Sequence, residues 1–453
     1  MMGGGSVRFF CTAGAGMETF LVEEVKHKLA ATEVEQIPGR VFFTCCSALQ
    51  DVMRLKSAER LFLLLHRAPS TPLPTNPAKA ASVIQQSIVG DPDVWTSGLS
   101  IWSRVQEELG GSAECGRGQK RKREEEEEEN EDVRKEGRTT FRVSCRCSGA
   151  VARCYNAQNL NRIIGTAVTQ QLGWRADLRN PTLEVNVYLS DDHSVVGIPL
   201  LRHPLASRGY LKHTGLRSTI AWAMTSLCNL QESFVVLDPM CGVGTILLEG
   251  AQECPNSVFI GMDTSQDQLL KALENVEAAG QEGRIVLVRS SCMGIPVPSG
   301  CVDAVLCDVP FGRKFSCSTD MTAAFPRILA EMERVLRQGG TLVLLLSLQL
   351  SAQIKKLIPP DSQIADRSVD APTSESDQHG HVTRFSSLVL KSRHRVSLGC
   401  TDALIHTYRK TCNQGDQAAQ EQVRTPGFEH VAPQLAAPEG GTGGNHRAQP
   451  DTM

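Results

Sequence analysis

The chain has 453 residues, of which 41% are hydrophobic and 21% charged, with a formal net charge of −3. That length suits two or three domains with sizeable cores. So mild an acidity gives no global reason to bind nucleic acid, which leaves such a role to a local patch, and no apolar run reaches the roughly 20 residues of a membrane span.

The N-terminal "MMGGGSVRFF" lacks the basic-then-apolar order of a secretory signal, and no Gly directly follows the initiator Met as myristoylation requires. "RFFCT" then reads as a strand, "METFLVEEVKHKLA" as an amphipathic helix, "EVEQIPGRVFFTC" as a strand pair and "ALQDVMRLKSAERLFLLL" as a second helix. Residues 111–137 join a basic tetrad, "KRKR" at 120–123, to a Glu block that repels itself and cannot bury surface, so they read as a disordered insert. The tetrad fits a nuclear localisation signal or a solvated charge run. "FRVSCRCS", a helix over 157–172, "TLEVNVYLS" and "HSVVGIPL" follow, a mixture that suggests small α+β modules.

The sixteen cysteines include no C-x-x-C pair, and many sit in apolar runs, as Cys228, Cys301 and Cys307 do. They read as reduced thiols of an intracellular protein, with no metal site expected.

From residue 234 the rhythm becomes strand–helix alternation, the mark of a parallel doubly wound sheet. The strands are "FVVLD", "VFIGMD", "IVLVRS", "VDAVLCDVP" and "TLVLLL", the last read as a core strand running through "SLQL". Helices are expected over 245–253, 265–279 and 321–336. After a polar loop within 351–390, "HRVSLG" and "DALIHTYR" form a closing antiparallel hairpin, and a Gln/Gly/Pro-rich tail follows from 411.

In such a sheet the ligand sits at the carboxyl ends of the strands, where strand order reverses. "DPMCGVGT" at 238–245 occupies that place. Gly242 and Gly244 let the backbone approach a ligand, while the loop lacks both glycine-rich phosphate cradles and no Lys follows it. Asp238 repels phosphate but suits a cationic ligand, and Asp263 ends the second strand where a carboxylate accepts from ribose hydroxyls. A cationic, ribose-bearing ligand without phosphate is S-adenosylmethionine. "DVPFG" at 308–312 ends the fourth strand. The Asp308 carboxylate and a carbonyl near Pro310 can accept both N–H bonds of an exocyclic amine, and Phe311 can stack on a base face, worth about 1–3 kcal/mol.

"DPMCGVGT" with "DVPFG" resembles the amino-methyltransferases of the class I S-adenosylmethionine-dependent fold. "ADLRNPTLEVNVYL…VVGIPL" followed by "SRGYLKHTGLRSTIAWAMTSL" looks like a THUMP domain joined to such a catalytic domain, and "FFCTAGAGMETFLVEEV" like the ferredoxin-like module that precedes THUMP domains. Over 8–409 the chain is similar to the THUMP-domain RNA guanosine N2-methyltransferases. The resemblance implies an α/β class I, Rossmann-like methyltransferase sheet with a closing antiparallel hairpin (205–410), preceded by an α+β ferredoxin-like module with the start of the THUMP region (1–110) and the rest of the THUMP domain (139–204). It implies methylation of the 2-amino group of a guanosine in a small structured RNA, transfer RNA or spliceosomal small nuclear RNA.

By the same resemblance, Asp238, Cys241, Gly242, Gly244 and Thr245 line the cofactor loop, and Asp263 and Thr264 hold the ribose. Ser291 and Cys292 stand at the adenine, where the usual acidic residue is missing, and Arg217, Ser218 and Thr219 close over the methionine end. Asp308, Pro310 and Phe311 hold the guanine; Val309 replaces the usual first proline. Methylation of another planar amine (an adenine amine, a protein glutamine) and a catalytically silent RNA-binding protein are the alternatives.

Residues 141–220 carry ten Arg/Lys against four Asp/Glu, a local net of +6. Arg142, Arg146, Arg153, Arg179, Arg208 and Lys212 are the candidate phosphate contacts. The third strand, Ile285 to Arg289, lies at the sheet edge in the usual strand order, and its "IVLV" carries no Pro or Lys to blunt that edge. A partner adding a strand there is expected, and the resemblance implies a small zinc-binding activator subunit.

Overall fold

The computed structural model describes residues 6–70, 72–74, 76–110, 139–311, 321–358, 385–399 and 401–412. The charged insert with its basic tetrad, Gly312, residues 359–384 and the C-terminal tail lie outside the described residues.

The first half supplies β1 (Val7–Thr12), α1 (Glu18–Leu29), β2 (Thr32–Ile37), β3 (Arg40–Cys45), α2 (Leu49–Val52) and β4 (Arg60–Pro69). After α3 (Pro77–Ile84), a π-turn and α4 (Pro92–Gly110) come β5 (Thr140–Cys147), α5 (Gly149–Cys154), α6 (Ala157–Leu172), β6 (Arg175–Ala176), β7 (Leu183–Leu189) and β8 (His193–Pro199). These strands form one sheet of order β2-β3-β1-β4-β8-β7-β5-β6. The two modules expected from sequence therefore share a sheet, joined where β4 pairs antiparallel with β8 (Phe62↔Pro199, Arg67↔Val195).

The helix expected from Ala48 to Leu65 is corrected: helix ends at Val52, and β4 is a strand. Leu61, Leu63 and Leu65 point into the helix-covered core while Phe62 lies in a smaller core on the opposite face. A segment apolar on both faces, bonded on one edge to β1 and on the other to β8, satisfies its backbone better as a central strand than as a helix burying one stripe.

The sheet curls. Arg40 of β3 lies 3.7 Å from the ring centre of Tyr188 on β7, four strands away. The hollow holds Phe10, Phe42, Phe62 and Val195, with the Phe10 and Phe62 rings stacked at 4.6 Å.

The second half supplies α7 (Ser218–Ser226), β9 (Val235–Asp238), α8 (Thr245–Glu253), β10 (Val258–Asp263), α9 (Gln266–Ala278), β11 (Ile285–Arg289) and β12 (Val302–Asp308). It continues with α10 (Met321–Val335), β13 (Leu336–Ser347), α11 (Leu348–Leu357), β14 (Leu388–Ser397) and β15 (Asp402–Lys410). The order β11-β10-β9-β12-β13-β15-β14 is parallel as far as β13, after which β15 and β14 run antiparallel. Strand order reverses between β9 and β12, and β11 stands at the edge.

"SLQL" is the second correction. Ser347 ends the strand and its side chain accepts from Leu350 N, capping α11, whose Leu350, Ile354 and Leu357 are buried at helical spacing. Pro326 inside α10 cannot bond the Thr322 carbonyl one turn back; Gln353 of α11 donates to it at 2.8 Å instead.

The first half of the chain is fastened to the second through charged residues. Glu24 accepts from the amides of Lys56 and Ser57 and pairs with Lys28, which also reaches Glu253 of α8 at 3.1 Å. Arg208 pairs with Glu249 of α8 at 2.9 Å, and Met17 and Phe20 enter a core of the second sheet.

Candidate active site

A short buried strand, β9, delivers Asp238 to the crevice at the reversal point, and the loop after it turns through Gly242 (φ 53°) and Gly244 (φ 80°). Both angles lie in the left-handed region that favours glycine. The loop is held by its backbone: Met240 N donates to Asp238 Oδ1 (3.1 Å), Cys241 N to the Met262 carbonyl (2.8 Å) and Gly244 N to the Cys241 carbonyl (2.8 Å).

Asp263, at the end of β10, brackets this loop. Its Oδ2 accepts from Gly242 N at 3.0 Å and its Oδ1 from Ser265 N at 2.8 Å. Each oxygen keeps acceptor capacity for a hydroxyl. Thr264 is exposed beside it, and its carbonyl accepts from Arg289. Ser290 N donates to the Asp263 carbonyl, which carries Ser291 and Cys292 alongside; the Ser291 hydroxyl accepts from Met293 N.

Thr245 opens α8, and its hydroxyl is buried with no hydrogen-bond partner among the described residues. The segment before α7 packs against the same place: a Cβ on Gly215 would come within 2.7 Å of a Val243 methyl and 3.3 Å of Thr245 Oγ1. The fully buried Asn275 makes this junction. It accepts from His213 N (2.9 Å) and donates to the carbonyls of His213 and Val243 (3.0 Å each). Sequence reasoning missed Asn275; the signal available was a polar residue at an apolar position of the helix pattern.

Three sets of expected side chains have partners within the fold. The Cys241 thiol points into the core against Gly261, so this residue supports the loop from below. Ser218 and Thr219 are buried, with hydroxyls donating to the Ala206 carbonyl and to Glu59, while Arg217 stays half-exposed and pairs with Glu59 at 3.4 Å. Arg208, expected at a phosphate, is held by Glu249 and by the carbonyls of Leu205 and Lys56.

Asp308 ends β12, next to β9. Burial pushes its carboxyl up to about 7. Burial also holds Asp238 well above its ordinary value; the Met240 amide draws it down, and Asp308 and Asp263 push it up. Two desolvated carboxylates at one crevice favour a ligand that brings positive charge or N–H donors. Val309 N bonds the Leu345 carbonyl at 3.1 Å, tying the turn into β13, and Phe311 is half-buried at its end.

Of the other expected RNA contacts, Arg142 is paired with Glu184 at 2.7 Å, while Arg146, Arg153, Arg179 and Lys212 are exposed. Among the described residues no helix is long and apolar enough to cross a membrane.

The RMKL-like methyltransferase-domain family matches residues 206–356, and the THUMP-domain family matches residues 124–198. The U6 snRNA (guanine-N(2))-methyltransferase THUMPD2 of Bos taurus is 41% identical, covering 90% of this chain and 97% of that protein; the Homo sapiens protein is 38% identical with the same coverage. The tRNA (guanine(6)-N(2))-methyltransferase THUMP3 of Bos taurus is 33% identical over 45% of this chain. Among solved structures, TrmN from Thermus thermophilus covers 89% of this chain and 99% of its own at TM-score 0.63 and 20% identity, a likeness of fold. SMU.472, solved in complex with SAH, matches at TM-score 0.58 and 13% identity over 90% of this chain and 99% of its own.

Proposed function

Because the chain belongs to the THUMP-domain family of S-adenosylmethionine-dependent RNA (guanine-N2)-methyltransferases, we propose that it methylates a guanosine of U6 small nuclear RNA. One observation carries the choice of RNA. The U6-directed relatives match along 90% of this chain, N-terminal module included, whereas the tRNA-directed relative from the same animal matches 45% of it. The N-terminal half is where substrate choice would reside if the catalytic chemistry is common to both.

The residues at the crevice fit the cofactor. Gly242 and Gly244 leave room at the loop, Asp263 keeps acceptor capacity for ribose hydroxyls, and the unpartnered Thr245 hydroxyl has a bond to give. S-adenosylmethionine supplies an electrophilic methyl on a sulfonium. The chain's own part is to hold the guanine amine against it. In this reading the Asp308 carboxylate and a carbonyl of the Val309–Pro310 turn accept the two N–H bonds, Phe311 covers the base face, and Asp308 takes the amine proton as the new N–C bond forms. A carboxyl pushed up to about 7 is suited to receive and release that proton near neutrality.

We also infer a small zinc-binding activator on the β11 edge. Val258, Val286, Leu270 and Leu273 are exposed there on β10, β11 and α9. Arg284 and Arg289 turn back to the carbonyls of Pro255 and Thr264 and leave the edge unguarded. An snRNA substrate places the protein in the nucleus in this reading, with "KRKR" as the candidate signal.

The test is to incubate the purified protein, with and without activator, with U6 and tRNA transcripts and digest them to nucleosides for mass spectrometry. N2-methylguanosine in U6 alone is the expected result; its appearance in the tRNA alone would overturn the choice of RNA.

A further inference from the structure

Loop 53–56, ahead of β4, and loop 201–210, after β8, leave the same end of two paired strands and are pinned together, with Leu200 N bonded to the Leu61 carbonyl and Ala206 N to the Glu59 carbonyl. Between them is a cavity of about 380 Å³ at the junction of N-terminal module and catalytic domain. Its lining includes Arg54, Lys56, Arg202, His203 and Arg208, with no Asp or Glu.

Part of the charge of this lining has no ion-pair partner among the described residues. Arg208 is neutralised by Glu249, whose Oε1 also accepts from Tyr210 at 2.7 Å. Lys56 has no ion-pair partner among the described residues; its ammonium donates to the Tyr210 hydroxyl at 3.3 Å and lies 5.2 Å from that ring's centre. Arg202 and His203 are exposed and bond nothing among the described residues. Arg54 pairs with the exposed Asp51 at 3.7 Å. A half-buried ammonium that Glu249 and Glu253 attract only from beyond ion-pair contact keeps donors free for an arriving anion. Burial holds the Lys56 amine below its ordinary value, with Glu249 and Glu253 opposing and Arg208 assisting.

We propose that this cavity seats a phosphodiester of the substrate RNA, where the backbone crosses from the N-terminal module to the catalytic domain. Lys56 and Arg202 supply the charge-assisted bonds, and His203 adds a further polar contact. The position suits that role, because Glu249 behind the cavity lies four residues after Thr245, about 6 Å along α8 from the cofactor loop. Arg208 does not touch the RNA; it holds loop 201–210 on α8 and so is a positioning residue. The inference rests on the RNA methyltransferase reading above.

The experiment measures the affinity of a U6 transcript against salt for wild type, Arg202→Gln/His203→Gln and Lys56→Gln, with S-adenosylmethionine binding as the check on folding. The double variant alters two exposed side chains and keeps the test valid if Lys56→Gln fails to fold. The expected result is a log–log salt slope shallower by about 1 and affinity lower by roughly tenfold, at unchanged cofactor affinity. An unchanged slope in the double variant overturns the proposal. So does sub-millimolar binding of inorganic phosphate that the variants lose while RNA binding stays intact, since the site would then serve a free anion. Wild type that binds no U6 transcript overturns the functional reading itself and this inference with it.

Discussion

Asp238 and Asp308 end two neighbouring parallel strands, β9 and β12, so that a buried carboxyl and a part-buried one meet one crevice and Asp308 helps raise Asp238. Burial alone pushes Asp308 up to about 7 from an ordinary 3.8. The acceptor form is the carboxylate, so kcat/KM is expected to rise with pH through about 7 and level off above it. Asp308→Asn should lose that step and about 10²–10³-fold in turnover while keeping cofactor affinity. Single-turnover rates across pH, with calorimetry for the cofactor, check this.

The same shift has a consequence for stability. A carboxyl raised in the folded state binds its proton more tightly there than in the unfolded chain. Its stabilisation is therefore full below about 3.8 and lost as pH rises through about 7. Asp238, also raised, acts in the same direction. Cofactor-free Asp308→Asn should show a flatter dependence of Tm on pH between these values than wild type.

Thr245 carries a buried hydroxyl without a partner among the described residues. Thr245→Val keeps the shape and removes that unmet group, so the cofactor-free protein should unfold at the same or a higher temperature. If the hydroxyl bonds the cofactor, affinity should fall roughly 3- to 10-fold. Calorimetric titration beside thermal unfolding separates the two effects.

The Arg208–Glu249 pair is buried on both sides. Arg208→Met leaves the Glu249 carboxylate with Tyr210 alone and should cost about 3–5 kcal/mol, whereas Arg208→Met/Glu249→Leu should recover most of it. Denaturant titration of the single and double variants is the measurement.

On the curled sheet, Arg146 is exposed and unpaired among the described residues while Arg142 is paired with Glu184. Reversing Arg146 or Arg179 to Glu should therefore weaken RNA binding and flatten its salt slope more than neutralising Arg142 does, leaving the modified base unchanged. Anisotropy titrations at several salt concentrations, followed by mapping of the modified position, test it.

At the β11 edge, Val286→Lys and Leu273→Asp place charge on exposed apolar positions. The variants should stay folded, keep cofactor binding and lose co-purification with a co-expressed activator. Wild type that is fully active and soluble alone would remove the partner from the reading.

Much of the catalytic half was legible in the chain. Asp at the end of an apolar run, glycines bracketing a turn, and Asp-Val-Pro-Phe at the next strand end are local signals, because a left-handed turn or a strand terminus depends on residues a few positions apart. The parallel character of the sheet follows from the alternation of strand and helix, whereas its strand order was implied by the family resemblance. Other features depended on neighbours distant in sequence. Leu61–Leu65 is a strand because β1 and β8 bond its two edges, and β8 lies more than a hundred residues away. Arg208 reads as one more cation in a basic stretch until Glu249 is seen to bury it. Asn275 looks like an ordinary helix residue until His213 and Val243 are brought to it. Local backbone geometry is written in adjacent residues, whereas the worth of a charge or an amide is set by what surrounds it once water is excluded, and that the folded chain alone decides.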